Sequence, residues 1–175
     1  MKKATMLVAI LVALLGCQNS QPERGTQNSK PAEPPEPAAQ QAPQSRESMA
    51  DVPTAPLDLP DEAYEYSASG LKYAILEHTE GVKAEPGHRV AVHYVLWLPD
   101  GRTLDSSYQR GKPFEFVLGK GQVIPGWEEG IALLHEGERA QLVVPPEMGY
   151  GSRGMGPVPP NATLVFYVHL VKVYP

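Results

Sequence analysis

The chain has 175 residues, a formal net charge of −5 at pH 7 and one cysteine. That length holds one ordinary domain with appendages. The lone cysteine excludes an intrachain disulfide, and the acidic balance argues against nucleic acid or an anionic surface as partner.

Met1-Lys2-Lys3 opens the chain with positive charge, and Ala4 to Gly16 is almost wholly apolar. A bilayer-spanning helix needs about 20 apolar residues, so this shorter run is built like a signal-peptide core. It ends in Leu14-Leu15-Gly16-Cys17, which resembles the lipobox of bacterial lipoproteins. The resemblance implies that residues 1–16 are removed and that Cys17, lipidated, begins the mature chain as a membrane anchor. Gln18 stands where Gram-negative lipoproteins kept in the inner membrane commonly carry aspartate, which by the same resemblance implies the periplasmic face of the outer membrane.

Residues 17–61 read as the lipidated cysteine plus a Pro-rich disordered linker. Nine prolines fall there, and all 13 aromatic residues of the chain lie at Tyr64 or later. Glu33-Pro34-Pro35-Glu36-Pro37 propagates neither a helix nor a sheet ladder, and too little apolar surface is available to offset the entropy of ordering. As a coil the linker spans roughly 35–40 Å.

From residue 62 to 175 the pattern is that of a domain. Strands are predicted at Leu71 to Leu76, at Val90 to Leu98 (closed by the turn Pro99-Asp100-Gly101), near Arg102 to Asp105, and at Phe114 to Leu118. A helix begins at Pro125, since proline suits a first helical position; Trp127, Ile131 and Leu134 form one stripe, and Gly137 is placed to end it. Strands follow at Arg139 to Val144 and Thr163 to Val173. In the last one Leu164, Phe166, Val168 and Leu170 share a face, on which Lys172 comes next. Either Lys172 lies past the edge of the core or a bulge re-aims the strand. The opposite face carries Val165, Tyr167, His169, Val171 and Val173. It is covered by the segment before Leu71, or it is a surface for a second copy or a partner. Together these elements predict an α+β domain: a curved antiparallel sheet of five to six strands wrapped around one short helix.

Val123-Ile124-Pro125-Gly126-Trp127 puts a large flat indole and an apolar collar at the helix mouth, and Gly126 allows close approach to the backbone. With Val92-His93-Tyr94, Leu104-Asp105-Ser106-Ser107, Gly111-Lys112-Pro113-Phe114, Gly149-Tyr150-Gly151 and Pro159-Pro160-Asn161-Ala162-Thr163-Leu164-Val165-Phe166, the stretch from about Gly70 to Val173 resembles the FKBP family of peptidyl-prolyl cis-trans isomerases. The resemblance implies a pocket in which a proline ring, or the pipecolyl ring of a macrolide such as rapamycin, sits on Trp127. Catalytic residues carried over by motif are Tyr94, Asp105, Trp127, Tyr150 and Phe166; substrate-binding ones are Leu104, Phe114, Val123 and Ile124. The Ile124 backbone N–H and the Tyr150 hydroxyl would bind substrate carbonyls.

Asp105 has two readings: it acts on the twisted carbonyl or holds Tyr94, or it caps local backbone N–H groups beside Ser106 and Ser107. Three departures stand out. Leu104 replaces a frequent phenylalanine, Val95-Leu96 replaces Thr-Gly, and the loop 152–158, which overhangs the site in the family, is one residue short. Leu96 points with Tyr94 by alternation and either crowds the pocket floor or packs on the helix. The implied function is rotation of X–Pro bonds in exported proteins, by desolvation and positioning in an apolar pocket. The alternative is a proline-binding chaperone or assembly module with little turnover. No covalent bond breaks in such a rotation, so no cofactor is called for, and the five histidines show no metal spacing. A monomer is the default state.

Overall fold

The computed structural model describes residues 51–175. The leader, Cys17 and the linker up to residue 50 lie outside the described residues. The strands are β1 (Glu65–Tyr66), β2 (Lys72–Glu77), β3 (Arg89–Trp97), β4 (Thr103–Ser106), β5 (Phe114–Val117), β6 (Arg139–Val144) and β7 (Leu164–Tyr174), with one helix, α1 (Pro125–Ala132). They form one antiparallel sheet in the order β1-β2-β6-β7-β3-β4, with β5 also paired to β3. The sheet has seven strands where periodicity predicts five or six; the addition is the two-residue β1, too short to carry an alternation.

The central strands β3 and β7 pair from Arg89↔Tyr174 to Trp97↔Val165. Their ladder slips between Ala91 and Val92, where Lys172 and Leu170 are the successive partners. Val171 is therefore the extra residue of a bulge, which settles the open question about Lys172. The bulge turns Val173 into the main core and lets the Lys172 ammonium reach Glu136 Oε1 at 2.7 Å.

On one sheet face α1 packs through Trp127 and Ile131 against Leu71, Leu142, Val144, Phe166 and Val168. The helix sits close because it has glycines where it crosses β6. A Cβ on Gly126 would lie 2.5 Å from Val144 Cγ1, and one on Gly130 would lie 2.7 Å from Leu142 Cδ1. The close approach foreseen at Gly126 is thus to the sheet. The helix ends at Ala132, short of the predicted stop at Gly137. Residues 82–84 draw the chain away: Ala84 N–H donates to Leu134 O, and Glu136 N–H donates to Val82 O. Gly137 instead serves the turn into β6, with φ of +93°. That turn is held by Glu138, a buried carboxylate that accepts the backbone N–H groups of His135 and Thr79.

The other face carries a smaller core of Val95, Trp97, Val165 and Tyr167, onto which Val52, Tyr108 and Val143 pack. Gln141, 1% exposed on β6, clamps the N-terminal segment: its Oε1 accepts Leu57 N–H at 2.7 Å and its Nε2 donates to Leu57 O at 2.9 Å. Nε2 also donates to the Tyr64 hydroxyl. The outer face around Val165 and Tyr167 is therefore covered in part by the segment before Leu71, through Val52, and in part by Tyr108, and residues 52–61, which composition places in the linker, contribute to the cover.

Replacing Gln141 with alanine strands the Leu57 groups in a part-buried place, and such a loss costs about 1–3 kcal/mol. Denaturant unfolding of Gln141→Ala is expected to show a deficit of that size, and a chain beginning at residue 62 one at least as large. Unchanged midpoints in both would show that the strap contributes nothing.

Candidate active site

A cavity of about 170 Å³ opens at the helix mouth, lined by Tyr94, Leu96, Asp105, Phe114, Gln122, Val123, Ile124, Trp127, Tyr150 and Phe166. Four strands, the helix with the loop leading into it, and the turn after β6 that carries Tyr150 supply it. β3 presents Tyr94 and Leu96, which share a face by strand alternation. β4 supplies Asp105, β5 supplies Phe114, and β7 supplies Phe166. The loop into α1 supplies Gln122, Val123 and Ile124, and α1 itself supplies Trp127. Eight of the nine predicted pocket residues come together here.

Trp127 is 4% exposed, and rings stand around it. Tyr94 lies 5.0 Å away at 85°, Phe166 lies 5.4 Å away at 73°, and Phe114 lies 6.2 Å away at 73°. Edge-on packing of this kind suits the positive ring edge and negative ring face. Phe116 supports the indole from 5.9 Å. Phe114 itself is 41% exposed, an apolar wall left open to solvent.

Besides the buried Trp127 indole N–H, which has no partner, two donors at the cavity have no hydrogen-bond partner among the described residues. Ile124 is the residue before α1, with φ −62° and ψ 150°. Its carbonyl accepts the N–H groups of Trp127 at 2.9 Å and Glu128 at 3.1 Å, while its own N–H bonds to nothing. The first N–H groups of any helix lack intrahelical acceptors, and the proline at position 125 removes the next donor along. The Tyr150 hydroxyl is the other. Burial pushes its pKa up, and the Asp105 carboxylate pushes it further, so it remains a neutral donor.

Asp105 is fully engaged. Its Oδ2 accepts the Tyr94 hydroxyl, while its Oδ1 accepts Arg110 Nη1 and the Ser106 N–H, the latter at 2.8 Å. Arg110 Nη2 donates to the Tyr94 oxygen at 2.7 Å. Asp105 is thus bonded both to Tyr94 and to the N–H of its neighbour Ser106. Burial pushes the Asp105 carboxyl up, but the hydrogen bonds from Tyr94, Arg110 and Ser106 outweigh it and hold the pKa below the usual value. Tyr94 is pushed up to about 12, by burial first and then by its bond to Asp105. Tyr94 lies in a gap between β4 and β5, where Ser107 substitutes for a strand: the Ser107 hydroxyl accepts Tyr94 N–H at 2.8 Å, and Ser107 N–H donates to Tyr94 O at 3.0 Å.

Leu104 is the predicted site residue that the structure leaves outside the cavity. The β3–β4 ladder runs Leu96↔Asp105 and then Trp97↔Thr103, so Leu104 is an unpaired bulge residue, half-buried on the main core. No residue of 152–158 lines the cavity; Val158 is buried in the core, and Met155, bridged to it, is 61% exposed. Leu96 lines the floor. Arg110 and Gln122 were not singled out from the sequence. Arg110 sits in a turn with no periodicity, so no sequence pattern marks its pairing with Asp105.

A family profile described as FKBP-type peptidyl-prolyl cis-trans isomerase matches residues 80–171. An FK506-binding protein of Neisseria meningitidis serogroup C is 49% identical over 100 residues, which cover 57% of this chain and 92% of that protein. The peptidyl-prolyl cis-trans isomerase Fkbp12 of Drosophila melanogaster is 54% identical over 88 residues, covering 50% of this chain and 82% of that one. Among solved structures, FkpA from Escherichia coli superposes with a TM-score of 0.62 at 41% identity, over 65% of this chain and 53% of that chain. AtFKBP13 gives 0.61 at 36% identity, over 62% and 97%. The chain belongs to the FKBP-type peptidyl-prolyl cis-trans isomerases. It is therefore an enzyme of X–Pro rotation.

The cavity's ionisable groups are Tyr94, Asp105 and Tyr150. A carboxylate with a depressed pKa contributes stability that is present above its ordinary value, about 4 for aspartate, and lost as pH falls through the lower folded value. The kcat/KM profile is therefore expected to be flat from neutrality down to about pH 4. In Arg110→Met the acid limb is expected to begin at higher pH, because a lowering influence on Asp105 is gone. Superimposable acid limbs would show that Arg110 does not govern Asp105.

Proposed function

We propose that this enzyme isomerises X–Pro bonds of exported polypeptides by taking the bond out of water, while held to a membrane through lipid on Cys17. The observation that carries the catalytic part is the pairing of an aromatic hollow with neutral donors, the Ile124 N–H and the Tyr150 hydroxyl among them, that lack partners among the described residues, while the Asp105 carboxylate is already bonded.

Rotation about the amide faces a barrier of about 18–20 kcal/mol, set by resonance that places negative charge on the carbonyl oxygen. Water stabilises that charge in the planar form, and the twisted form carries less of it. A hollow that strips water from the carbonyl therefore favours the twisted form differentially. Uncatalysed exchange takes tens to hundreds of seconds; turnover in ~10 ms requires lowering the barrier by about 4–5.5 kcal/mol. Trp127 seats the proline ring, with Phe114, Val123 and Phe166 as walls. Ile124 N–H and the Tyr150 hydroxyl hold flanking carbonyls and fix the peptide while one end turns. Asp105, tied to Arg110 and Tyr94, keeps the Tyr94 ring upright and presents no free charge to the carbonyl.

The Tyr150 hydroxyl has no internal partner, so Tyr150→Phe separates function from folding. One hydrogen bond is worth about 0.5–1.5 kcal/mol. In a protease-coupled assay on a short Leu-Pro peptide, kcat/KM is expected to fall about 2- to 13-fold with the unfolding midpoint unchanged. Full activity in Tyr150→Phe would remove that donor from the mechanism. Peptide binding without acceleration in the unsubstituted protein would leave only the proline-binding module.

The anchor has its own test. In cells fed a labelled fatty acid, the full-length chain is expected to carry label and fractionate with membranes, whereas Cys17→Ser does neither. Label retained in Cys17→Ser, or absent from both, would rule out the lipid anchor. The leader, the single cysteine behind Leu14-Leu15-Gly16 and the proline-rich linker support this reading, and Gln18 favours the outer membrane.

A further inference from the structure

In the sequence Glu128 and Glu129 look alike, two acidic residues suited to the positive end of a helix. In the structure they part. Glu129 Oε2 accepts the Ser69 hydroxyl, away from the cavity. Glu128 folds back over the loop between β5 and α1: its Oε2 accepts Gly119 N–H, and its Oε1 accepts Gly121 N–H at 2.8 Å. Both glycines have positive φ, +77° and +66°, and glycine is the most permissive of residues. A stretch holding two of them needs an outside constraint to keep one shape.

That stretch leads straight into Val123 and Ile124, both of which line the cavity, and the Ile124 N–H has no partner among the described residues. Glu128 also donates its own N–H to Ile124 O at 3.1 Å. Its backbone thus holds Ile124 from behind while its carboxylate holds the loop in front. A second staple, Val117 N–H to Gln122 Oε1 at 2.8 Å, ties the start of the loop to its end.

We infer that Glu128 is a positioning residue for isomerisation: without touching substrate, its carboxylate fixes the 119–122 loop and so aims the Ile124 N–H into the cavity. This rests on the reading that Ile124 N–H binds a substrate carbonyl. Carboxylate-to-amide bonds are among the stronger ones in proteins. Without them the loop samples more shapes, and apparent affinity falls with the fraction that is competent to bind. The loss therefore belongs in KM.

The test compares the full mature chain with Glu128→Ala, Glu128→Gln and Glu129→Gln, using a short Leu-Pro peptide for kinetics and NMR amide exchange for the loop. Glu128→Ala is expected to raise KM about five- to tenfold, to leave kcat within about twofold, and to speed exchange at Gly119, Gly121 and Ile124. Glu128→Gln, which keeps one acceptor oxygen, is expected to fall between. Glu129→Gln is expected to match the unsubstituted protein. Unchanged KM and exchange in Glu128→Ala, or equal defects in the Glu128 and Glu129 variants, would overturn the assignment. If the unsubstituted protein proved inactive, the proposed function would fail; loop exchange and peptide affinity in Glu128→Ala would still decide whether the clamp exists.

Discussion

The close seat of α1 on β6 is the constraint from which the site follows. Gly126 and Gly130 remove the two Cβ atoms that would collide with Val144 and Leu142. Only with the helix that near the sheet does Trp127 lie within reach of rings from three different strands. The same seat brings the start of the helix to the cavity rim, where Pro125 has no N–H and the Ile124 N–H lacks an acceptor. One packing contact therefore sets both the apolar floor and the polar donor above it.

Around that floor, polar groups are arranged so that none competes for the substrate. Asp105 is charged, but its oxygens are taken by Tyr94, Arg110 and Ser106. Tyr94 directs its proton to Asp105 and is protonated at any physiological pH. On the proposed mechanism a substrate carbonyl meets neutral donors away from bulk water, where a planar, charge-separated amide is less favoured. Rigid walls matter here because the change being promoted is a rotation, and a wall that gives way does not select one torsion over another.

Much of this architecture is visible in the residues. The alternation in β3 and β7 is long and regular, and of the two readings that Lys172 leaves open on an otherwise apolar face, the structure shows the bulge. The helix start is marked by Pro125 and by the residues around it. What periodicity does not reveal is which aromatic residues meet. Tyr94, Phe114 and Phe166 are far apart in the chain, and only the family motifs brought them to one place. Leu104 went astray because an unpaired residue in β4 breaks the alternation that pattern-reading relies on. The helix is shorter than its apolar stripe implies because its end is set by a distant partner, residues 82–84, and not by a local stop signal. The strap escaped notice because three prolines within ten residues (Pro53, Pro56 and Pro60) read as linker, while its acceptor, Gln141, is a polar side chain in a strand where nothing local marks it as buried. Arg110 reaches Asp105 and Tyr94, Gln122 accepts from the end of β5, and Glu128 folds back onto the loop at Gly119 and Gly121, contacts that leave no periodic trace.

The central claim is that an X–Pro bond turns faster because its proline rests on Trp127 with a flanking carbonyl on Ile124 N–H. NMR exchange spectroscopy on a Leu-Pro peptide, with isotope-labelled protein at a small fraction of the peptide concentration, tests both halves in one sample. The account predicts cis and trans peptide signals exchanging far faster than the uncatalysed tens of seconds, with peptide-dependent shifts concentrated at the Ile124 amide and the Trp127 indole. Accelerated exchange with shifts confined to the opposite sheet face, around Trp97 and Tyr167, or no acceleration with the Trp127 signal unmoved, would contradict it.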